Sequence, residues 1–163
     1  MASPTSKPAG LQHEIGKKRP FEAPEVEAFL NILRTAGLLS AEAGRFMKSH
    51  GLTEAQYNAL RILRGHGDAG VACQTIGQEL VAHVPDVTRL VDRLVKAGWA
   101  ERSRGEEDKR QVLVRITRAG LDLLARIDRP LLDLHRRQLG HMPRPELARL
   151  SALLVKARKR DAG

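Results

Sequence analysis

Two arginines and two short polar side chains lie at spacings that suit the recognition of nucleic acid. Arg89 and Arg93 are four residues apart, so they share one face if residues 84–97 form a helix. Asp86 and Thr88 precede them in the same segment. Short polar groups and guanidinium groups on an outward helix face can hydrogen-bond to base edges and phosphates in a DNA groove. These four residues are therefore candidates for a DNA-binding site.

A second candidate is the charged run that opens the segment EEDKRQVLVRIT, residues 106–117. Alternating apolar side chains follow the charges, and this period of two predicts a half-buried strand with Val112, Val114 and Ile116 on its buried side. The segment AERSR, residues 100–104, is a second strand candidate. The charged run is then the tip of a hairpin. A hairpin tip that simply faces water is the alternative interpretation.

The two arginines lie on a segment with strong helical periodicity. Asp92 lies between them, where it would orient one of them or form a surface ion pair. A short helix is predicted around residues 74–80, and the two strands follow the longer helix. This order is that of a winged helix-turn-helix. The apolar side chains of the longer helix recur at three- and four-residue steps, and they are Val87, Leu90, Val91, Leu94 and Val95.

The N-terminal part of the chain divides into a polar arm and a long helix. Residues 1–23 lack apolar periodicity and are predicted to form a flexible basic arm. Residues 24–49 show the periodicity of an amphipathic helix. Thr53 and Gln56 stand at the spacing of a capping box and so predict the start of the next helix.

The C-terminal part of the chain is predicted to form two helices. Thr117 is expected to cap a helix over residues 118–139. Pro130 interrupts this segment, and it predicts a kink near Asp128 or a break there. A final basic helix is predicted over residues 143–160.

The composition indicates a soluble protein with a polyanionic partner. The formal net charge is +9 and the sequence pI is about 10.4, which favours nucleic acid. The positive excess is larger in residues 126–160 than in residues 86–118, so charge alone does not locate the site. The single cysteine, Cys73, excludes an intrachain disulfide and fits a reducing cytoplasm. No secretory signal or membrane span is predicted, so we expect a cytoplasmic protein without a membrane partner.

The run TIGQELVAHVPDVTRLVDRLVKAGWAERSRGEEDKRQVLVRITRAG, preceded by LTEAQYNAL, resembles the MarR family of bacterial winged helix-turn-helix transcriptional regulators. The likeness is close over about residues 51–120 and extends to the outer helices only in pattern. It implies a mainly α fold with a small β-hairpin wing, of the α+β class. The implied organisation is a single domain over residues 24–163, with a DNA-binding unit at 52–117 and dimerisation helices at 24–51 and 118–163.

The resemblance also implies a function. A member of this family is a homodimeric repressor or activator of transcription, often released from double-stranded DNA by a small ligand or by oxidation. For this chain we expect a repressor that binds a pseudo-palindromic operator and is released by a small-molecule effector. The alternative is a winged-helix module that binds protein or RNA without a specific operator. No enzyme activity, metal or cofactor is predicted, because the chain lacks a phosphate-cradling glycine loop, a GxSxG elbow and an HExxH motif.

The resemblance further implies roles for residues of the wing and the recognition helix. Residues 84–97 would enter the major groove. The Asp-x-Arg signature of the wing is matched by Asp108 and Arg110. The arginine would reach the minor groove, braced by the aspartate against Arg104, and Lys109 would contact a phosphate.

An effector pocket would, by the same resemblance, lie between the dimerisation helices and the DNA-binding unit. Phe46, His50 and Tyr57 are its candidate lining residues. The alternative is that these side chains belong to the core, as aromatic residues at helical spacing usually do. Cys73 does not match the first-helix cysteine by which some members sense oxidants, so we expect it to be a packing residue.

Overall fold

A computed structural model describes residues 10–104 and 112–159 of the chain. It divides into two compact units whose boundary follows Glu42, inside a long helix. The predicted domain bounds differ from this division and stay a prediction. The elements in chain order are α1 (Leu11–Glu14), α2 (Pro24–Ser49), α3 (Glu54–His66), a 3-10 turn (Gly67–Ala69), β1 (Val71–Ala72), α4 (Cys73–Glu79), α5 (Val87–Lys96), β2 (Ala100–Arg104), β3 (Val112–Ile116), α6 (Arg118–Leu139) and α7 (Arg144–Arg158).

The first unit contains α1 and the N-terminal part of α2, and it gives structure to part of the predicted arm. Glu14, at the end of α1, accepts a hydrogen bond from Nε of Arg34 at 2.9 Å. Nζ of Lys17 lies 3.3 Å from Oε1 of Glu22. The pKa of Glu22 is lowered, chiefly by a hydrogen bond from its own backbone N–H. The hydrogen bond from Lys17 is the second cause. Short-range polar contacts thus order residues of a segment that has no apolar periodicity.

The predicted hairpin is confirmed, and a third strand joins it. The sheet is antiparallel with the order β1-β3-β2, so β3 is the central strand. Ala100 lies opposite Ile116 in the hairpin, and Val71 of β1 lies opposite Val114. The sequence did not predict β1, because a strand of two residues is too short to show alternation.

The predicted burial of β3 is correct at two positions and wrong at the third. Val114 is fully buried, and Ile116 is partly buried against the core. Val112 is instead 50% exposed. It pairs with Arg104 at the far end of the hairpin, whereas Val114 lies where β1 and the core cover the sheet. The period of two determines which side chains of β3 share a face. How many of them are buried depends on which other elements pack against that face.

One hydrophobic core holds the second unit together. Full burial of an aliphatic side chain contributes about 1.5–3 kcal/mol, so these contacts dominate the stability of the unit. Cys73 is partly buried against this core, which agrees with its predicted packing role. The largest fully buried side chains are those of Leu60, Leu63, Ile76, Val91, Leu94, Val114, Leu124, Ile127 and Leu134.

An ion pair with two hydrogen bonds joins α3 to α6. Arg64 donates from both terminal nitrogens to the carboxylate of Asp128, at 2.6 Å and 3.2 Å. The hydrogen bond that Arg64 donates to the Asp128 carboxylate raises the pKa of Arg64. This paired geometry fixes the relative orientation of two helices on which the core depends.

The predicted helix starts at Thr53 and Thr117 are confirmed. Thr53 and Gln56 form a reciprocal capping box, in which each side-chain oxygen accepts from the backbone N–H of the other residue. Oγ1 of Thr117 accepts from the backbone N–H of Gly120 at 3.2 Å. Local sequence decided both starts, because a cap needs only residues within one turn.

Of the two outcomes predicted near Asp128, the break is wrong, since α6 is one helix from Arg118 to Leu139, and the kink stays a prediction. Pro130 has no N–H and cannot bond to the carbonyl of Arg126. The neighbouring side chains of Ile127 and Leu131 are buried on either side of the proline. Packing of this apolar face therefore keeps the chain helical despite the missing hydrogen bond.

The outer helices carry apolar side chains on their surfaces. Helix α7 has no buried residue, and Leu153 is 54% exposed. In α2, Phe29 is 59% exposed and Leu38 is 65% exposed. Among the described residues, no helix combines the length and the apolar character that crossing a membrane requires.

Candidate nucleic-acid interface

Helix α5 separates its residues into a buried face and a polar outer face. Leu90, Val91 and Leu94 are buried in the core. Thr88, Arg89 and Arg93, all predicted to contact DNA, are exposed on the opposite face. The core therefore holds the helix on one side and leaves its guanidinium groups free to meet a ligand on the other.

Asp86 has a structural role that the sequence analysis did not assign to it. It is the N-cap of α5, and its Oδ1 accepts a hydrogen bond from the backbone N–H of Arg89 at 2.8 Å. Aspartate is among the preferred N-cap residues, so its position just before the apolar stripe was an available signal. The carboxylate thus fixes the start of the helix that carries the arginines.

Asp92 pairs with neither arginine of its own helix. Its Oδ1 lies 2.6 Å from a terminal nitrogen of Arg102 in strand β2. The interpretation in which Asp92 orients Arg89 or Arg93 is therefore wrong, whereas the alternative of a surface ion pair is correct. The pair connects the helix to the hairpin, so it positions one relative to the other.

The contacts of Asp86 and Asp92 shape the electrostatics of the outer face. Both carboxylates of the α5 segment are directed towards the protein's own backbone N–H and guanidinium groups. Arg89, Arg93 and Lys96 are the exposed cations of this helix. The outer face therefore presents positive charge to a polyanion, although the segment contains two acids.

Close approach of the backbone places α5 and the hairpin against their neighbours. A Cβ at Gly77 of α4 would lie 3.0 Å from Cγ2 of Val87, at the start of α5. A Cβ at Gly120 of α6 would lie 2.3 Å from the carbonyl oxygen of Trp99, just before β2. Only glycine permits these two contacts without a shift of the backbone or side chain. The sequence analysis missed both, because nothing local marks a close approach between distant elements.

Three of the predicted wing residues lie outside the described residues. These are Asp108, Lys109 and Arg110. Arg104 is described, and it is exposed at the end of β2. The predicted bracing of Arg110 by Asp108 and Arg104 therefore stays a prediction.

Two of the three candidate effector residues contact each other and the third lines a cavity, and their effector role stays a prediction. Phe46 and His50 contact each other, with ring centroids 4.5 Å apart, and Nδ1 of His50 lies 2.9 Å from the carbonyl oxygen of Phe46. Tyr57 is buried, and its hydroxyl accepts a hydrogen bond from Arg61 at 2.9 Å. Only Tyr57 of the three lines a cavity of about 240 Å³, whose other lining residues are Ala43, Met47, Glu54, Asn58, Val81, Leu131 and His135.

Known proteins resemble this chain in sequence and in fold. A sequence model of the MarR family matches residues 52–112. The chain is 33% identical over 109 residues to the multiple antibiotic resistance protein MarR of Escherichia coli, covering 64% of this chain and 72% of that protein. The chain belongs to the MarR family. Other curated relatives, among them transcriptional regulators of the HTH type, are matched over about half of their length, 49% to 52%.

Solved structures show the same fold as this MarR-family chain. A MarR transcription factor from Planctomyces limnophilus is 38% identical, with a TM-score of 0.64, and the match covers 83% of this chain and 98% of that one. A mutant of MarR from E. coli, solved in complex with operator DNA, has a TM-score of 0.71 at 24% identity, covering 93% and 100%. The mainly α fold with a three-stranded wing sheet is therefore the MarR winged-helix fold.

Proposed function

We propose that this chain is a DNA-binding transcriptional regulator that acts as a homodimer on a pseudo-palindromic operator. The observation that carries the proposal is the geometry of α5. Its buried face is fixed in the core, its start is capped by Asp86, and Arg89 and Arg93 are exposed on its outer face. A structural relative of the same fold was solved with operator DNA.

In this proposal α5 enters the major groove. Arg89 and Arg93 are long enough to donate to guanine edges or to phosphates, and Thr88 suits a shorter contact beside them. The wing lies along the adjacent minor groove, where Arg110 inserts and Lys109 contacts a phosphate. The Asp92–Arg102 pair fixes the angle between helix and hairpin, so both reach the same duplex.

The outer helices supply the dimer interface in this proposal. The exposed apolar side chains of α2 and α7 support an assembly that buries them against a second copy. A two-fold dimer would place two α5 helices about 34 Å apart, one turn of B-DNA. Binding there would exclude polymerase from the promoter, so we assign the regulator a repressing role, relieved by a small-molecule effector.

Selection of bound duplexes from a random pool, followed by footprinting, tests the DNA-binding function. We expect enrichment of a pseudo-palindrome with half-sites about one turn apart. Arg93→Ala should weaken operator binding by about 1–3 kcal/mol if it contacts a base, and Arg110→Ala should do likewise. Arg126→Ala is the matched control, because Arg126 is an exposed arginine of α6 outside the interface.

The outcome that would overturn the operator proposal is equal binding of selected and randomised duplexes at physiological salt. The basic surface would then bind polyanions without sequence preference. Tight binding of RNA or of a protein under those conditions would favour the alternative of a winged-helix interaction module. A promoter reporter carrying the selected operator checks the direction of regulation, with rising output on deletion of the regulator expected for a repressor.

A further inference from the structure

The 240 Å³ cavity of the second unit has an apolar floor and one acidic group. Met47, Tyr57 and Leu131 contribute buried side chains to its lining. Glu54 contributes a carboxylate, no lysine or arginine is among the lining residues, and the other titratable side chain, His135, has its Nδ1 3.1 Å from Oε1 of Gln138. The cavity is smaller than those that hold drug-sized ligands, so a compact molecule with one ring suits it.

The carboxylate of Glu54 has no partner within the described part of the chain. It forms no ion pair and accepts no hydrogen bond there, unlike Asp86, Asp92 and Asp128 of the same unit. Glu54 is the first residue of α3, a position that favours a negative charge because it lies near the positive end of the helix dipole. A half-buried carboxylate beside an apolar floor is a site for a cation with an apolar body.

A glycine in the facing helix leaves room for this carboxylate. A Cβ at Gly44 of α2 would lie 3.3 Å from Oε1 of Glu54. Any larger residue at that position would press on the carboxylate and restrict its orientation. The absence of a side chain at residue 44 therefore keeps the acidic end of the cavity open.

We propose that the effector of this regulator is a small apolar amine in its protonated form, held in this cavity by Glu54. The inference rests on the proposed function and names the ligand class of its effector site. The ammonium group would pair with the Glu54 carboxylate, and the apolar body would cover Met47, Tyr57 and Leu131. Asn58, whose amide also lines the cavity, offers a further hydrogen-bond acceptor or donor.

Val81 connects the cavity to the DNA-binding helix. It lines the cavity, it is 86% exposed, and it lies in the connection between α4 and α5, five residues before the cap Asp86. A ligand that covers the Val81 side chain would draw this connection towards α6. Because the connection leads directly into α5, binding of the amine would reorient the recognition helix and weaken operator binding.

Three probes of similar size and different charge test the ligand class. Phenethylamine is a cation at neutral pH, 2-phenylethanol is neutral and phenylacetate is an anion. Binding of each to the full chain is measured by calorimetry and by NMR titration at one pH and ionic strength. We expect phenethylamine to bind at least about tenfold more tightly than the other two, a difference of about 1.4 kcal/mol. Equal binding of the three, preference for phenylacetate, or no binding of any probe would overturn the proposal.

Glu54→Gln should remove the preference for the amine without abolishing the fold. Glu146→Gln is the matched control, because Glu146 also lies in the first turn of a helix but is exposed on α7, away from the cavity. Gly44→Ala, which leaves the carboxylate in place but crowds it, provides a second variant. If a folded Glu54→Gln protein bound the amine unchanged, Glu54 would not be the partner of the ammonium group. Its role would then be limited to the start of α3.

Operator binding measured with and without phenethylamine tests the coupling and separates the two proposals. We expect the amine to weaken operator binding by about fivefold or more in the wild-type chain, and this effect to be lost in Glu54→Gln. Operator binding without amine binding would refute this inference and leave the proposed function intact. Amine binding without any operator binding would refute the proposed function and leave only the ligand site.

Discussion

Helices α5 and α7 both carry a net positive charge, yet they differ in how many of their side chains are buried. Helix α5 has 10 residues, three of which are buried, and its Asp92 pairs with Arg102 of β2. Helix α7 has 15 residues, and none of them is buried. The position of α5 is thus fixed by the core of its own chain, whereas the described residues leave apolar side chains of α7 such as Leu153 exposed.

The largest expected effect comes from a substitution in the buried face of α5. Leu94→Ala removes a fully buried side chain of α5, so it should lower the free energy of unfolding by about 2–5 kcal/mol and reduce operator binding with it. Urea denaturation measures the change. Lys96→Ala, at an exposed position of the same helix, should stay within about 0.5 kcal/mol of the wild type. A loss of less than 1 kcal/mol in Leu94→Ala would mean that α5 is not held by the core.

The next largest effect is expected from a charge placed on the exposed apolar side chains of α7. Leu153→Asp places a charge among the exposed apolar side chains of α7, so the dimer should lose about 1.5–3 kcal/mol of association free energy, roughly 10- to 100-fold. Sedimentation over a range of concentrations measures this shift. Ser151→Asp, an exposed position two residues away and so on the opposite side of the helix, is the control. A dimer of unchanged affinity in Leu153→Asp would place the interface elsewhere.

A smaller loss of stability is expected from a substitution at the N-cap of α5. Asp86→Ala removes the N-cap hydrogen bond to Arg89, at a cost of about 0.5–2 kcal/mol in unfolding free energy. Asp86→Asn keeps an acceptor oxygen and should retain most of the stability. If the two variants were equally unstable, the charge of Asp86 rather than its hydrogen bond would be the source of the effect.

The smallest expected effect on stability comes from the pair between α5 and the hairpin. Asp92 and Arg102 are partly exposed, so solvent screens their attraction and Asp92→Asn should cost less than about 1 kcal/mol. Operator binding should fall by more than stability does, because the pair orients the wing. Asp122→Asn is the control for both measurements. It breaks the pair that Asp122 forms with Arg118, one turn away in α6. Equal losses of operator binding in the two variants would contradict the positioning role of Asp92.

The sequence predicted the helices of the DNA-binding unit well, because their signals are local. The caps at Thr53 and Thr117 lie where their side-chain spacing indicated. The exposed face of α5 follows from the period of its apolar residues. These features depend on residues within one or two turns of each other, and such patterns can be read without knowledge of the fold.

The errors of sequence analysis arose where contacts cross between elements. The partner of Asp92 is Arg102, ten residues away in a different element, and the Arg64–Asp128 pair between two helices was not predicted at all. The break predicted at Pro130 did not occur, because burial on either side of the proline outweighs one lost hydrogen bond. The sequence also could not indicate which of Phe46, His50 and Tyr57 line the 240 Å³ cavity, where only Tyr57 of the three is found.

The sequence by itself determined the order of the helices and strands, the family resemblance and the outward placement of Arg89 and Arg93. Periodicity and capping encode these properties over short stretches of chain, and a basic composition indicates the class of partner. Tertiary structure alone decided that Asp92 reaches Arg102, that Val112 stays exposed, and that Glu54 meets an apolar cavity beside Gly44. The reason is physical. Burial and ion pairing depend on which distant surfaces meet, and that is settled only when the core packs.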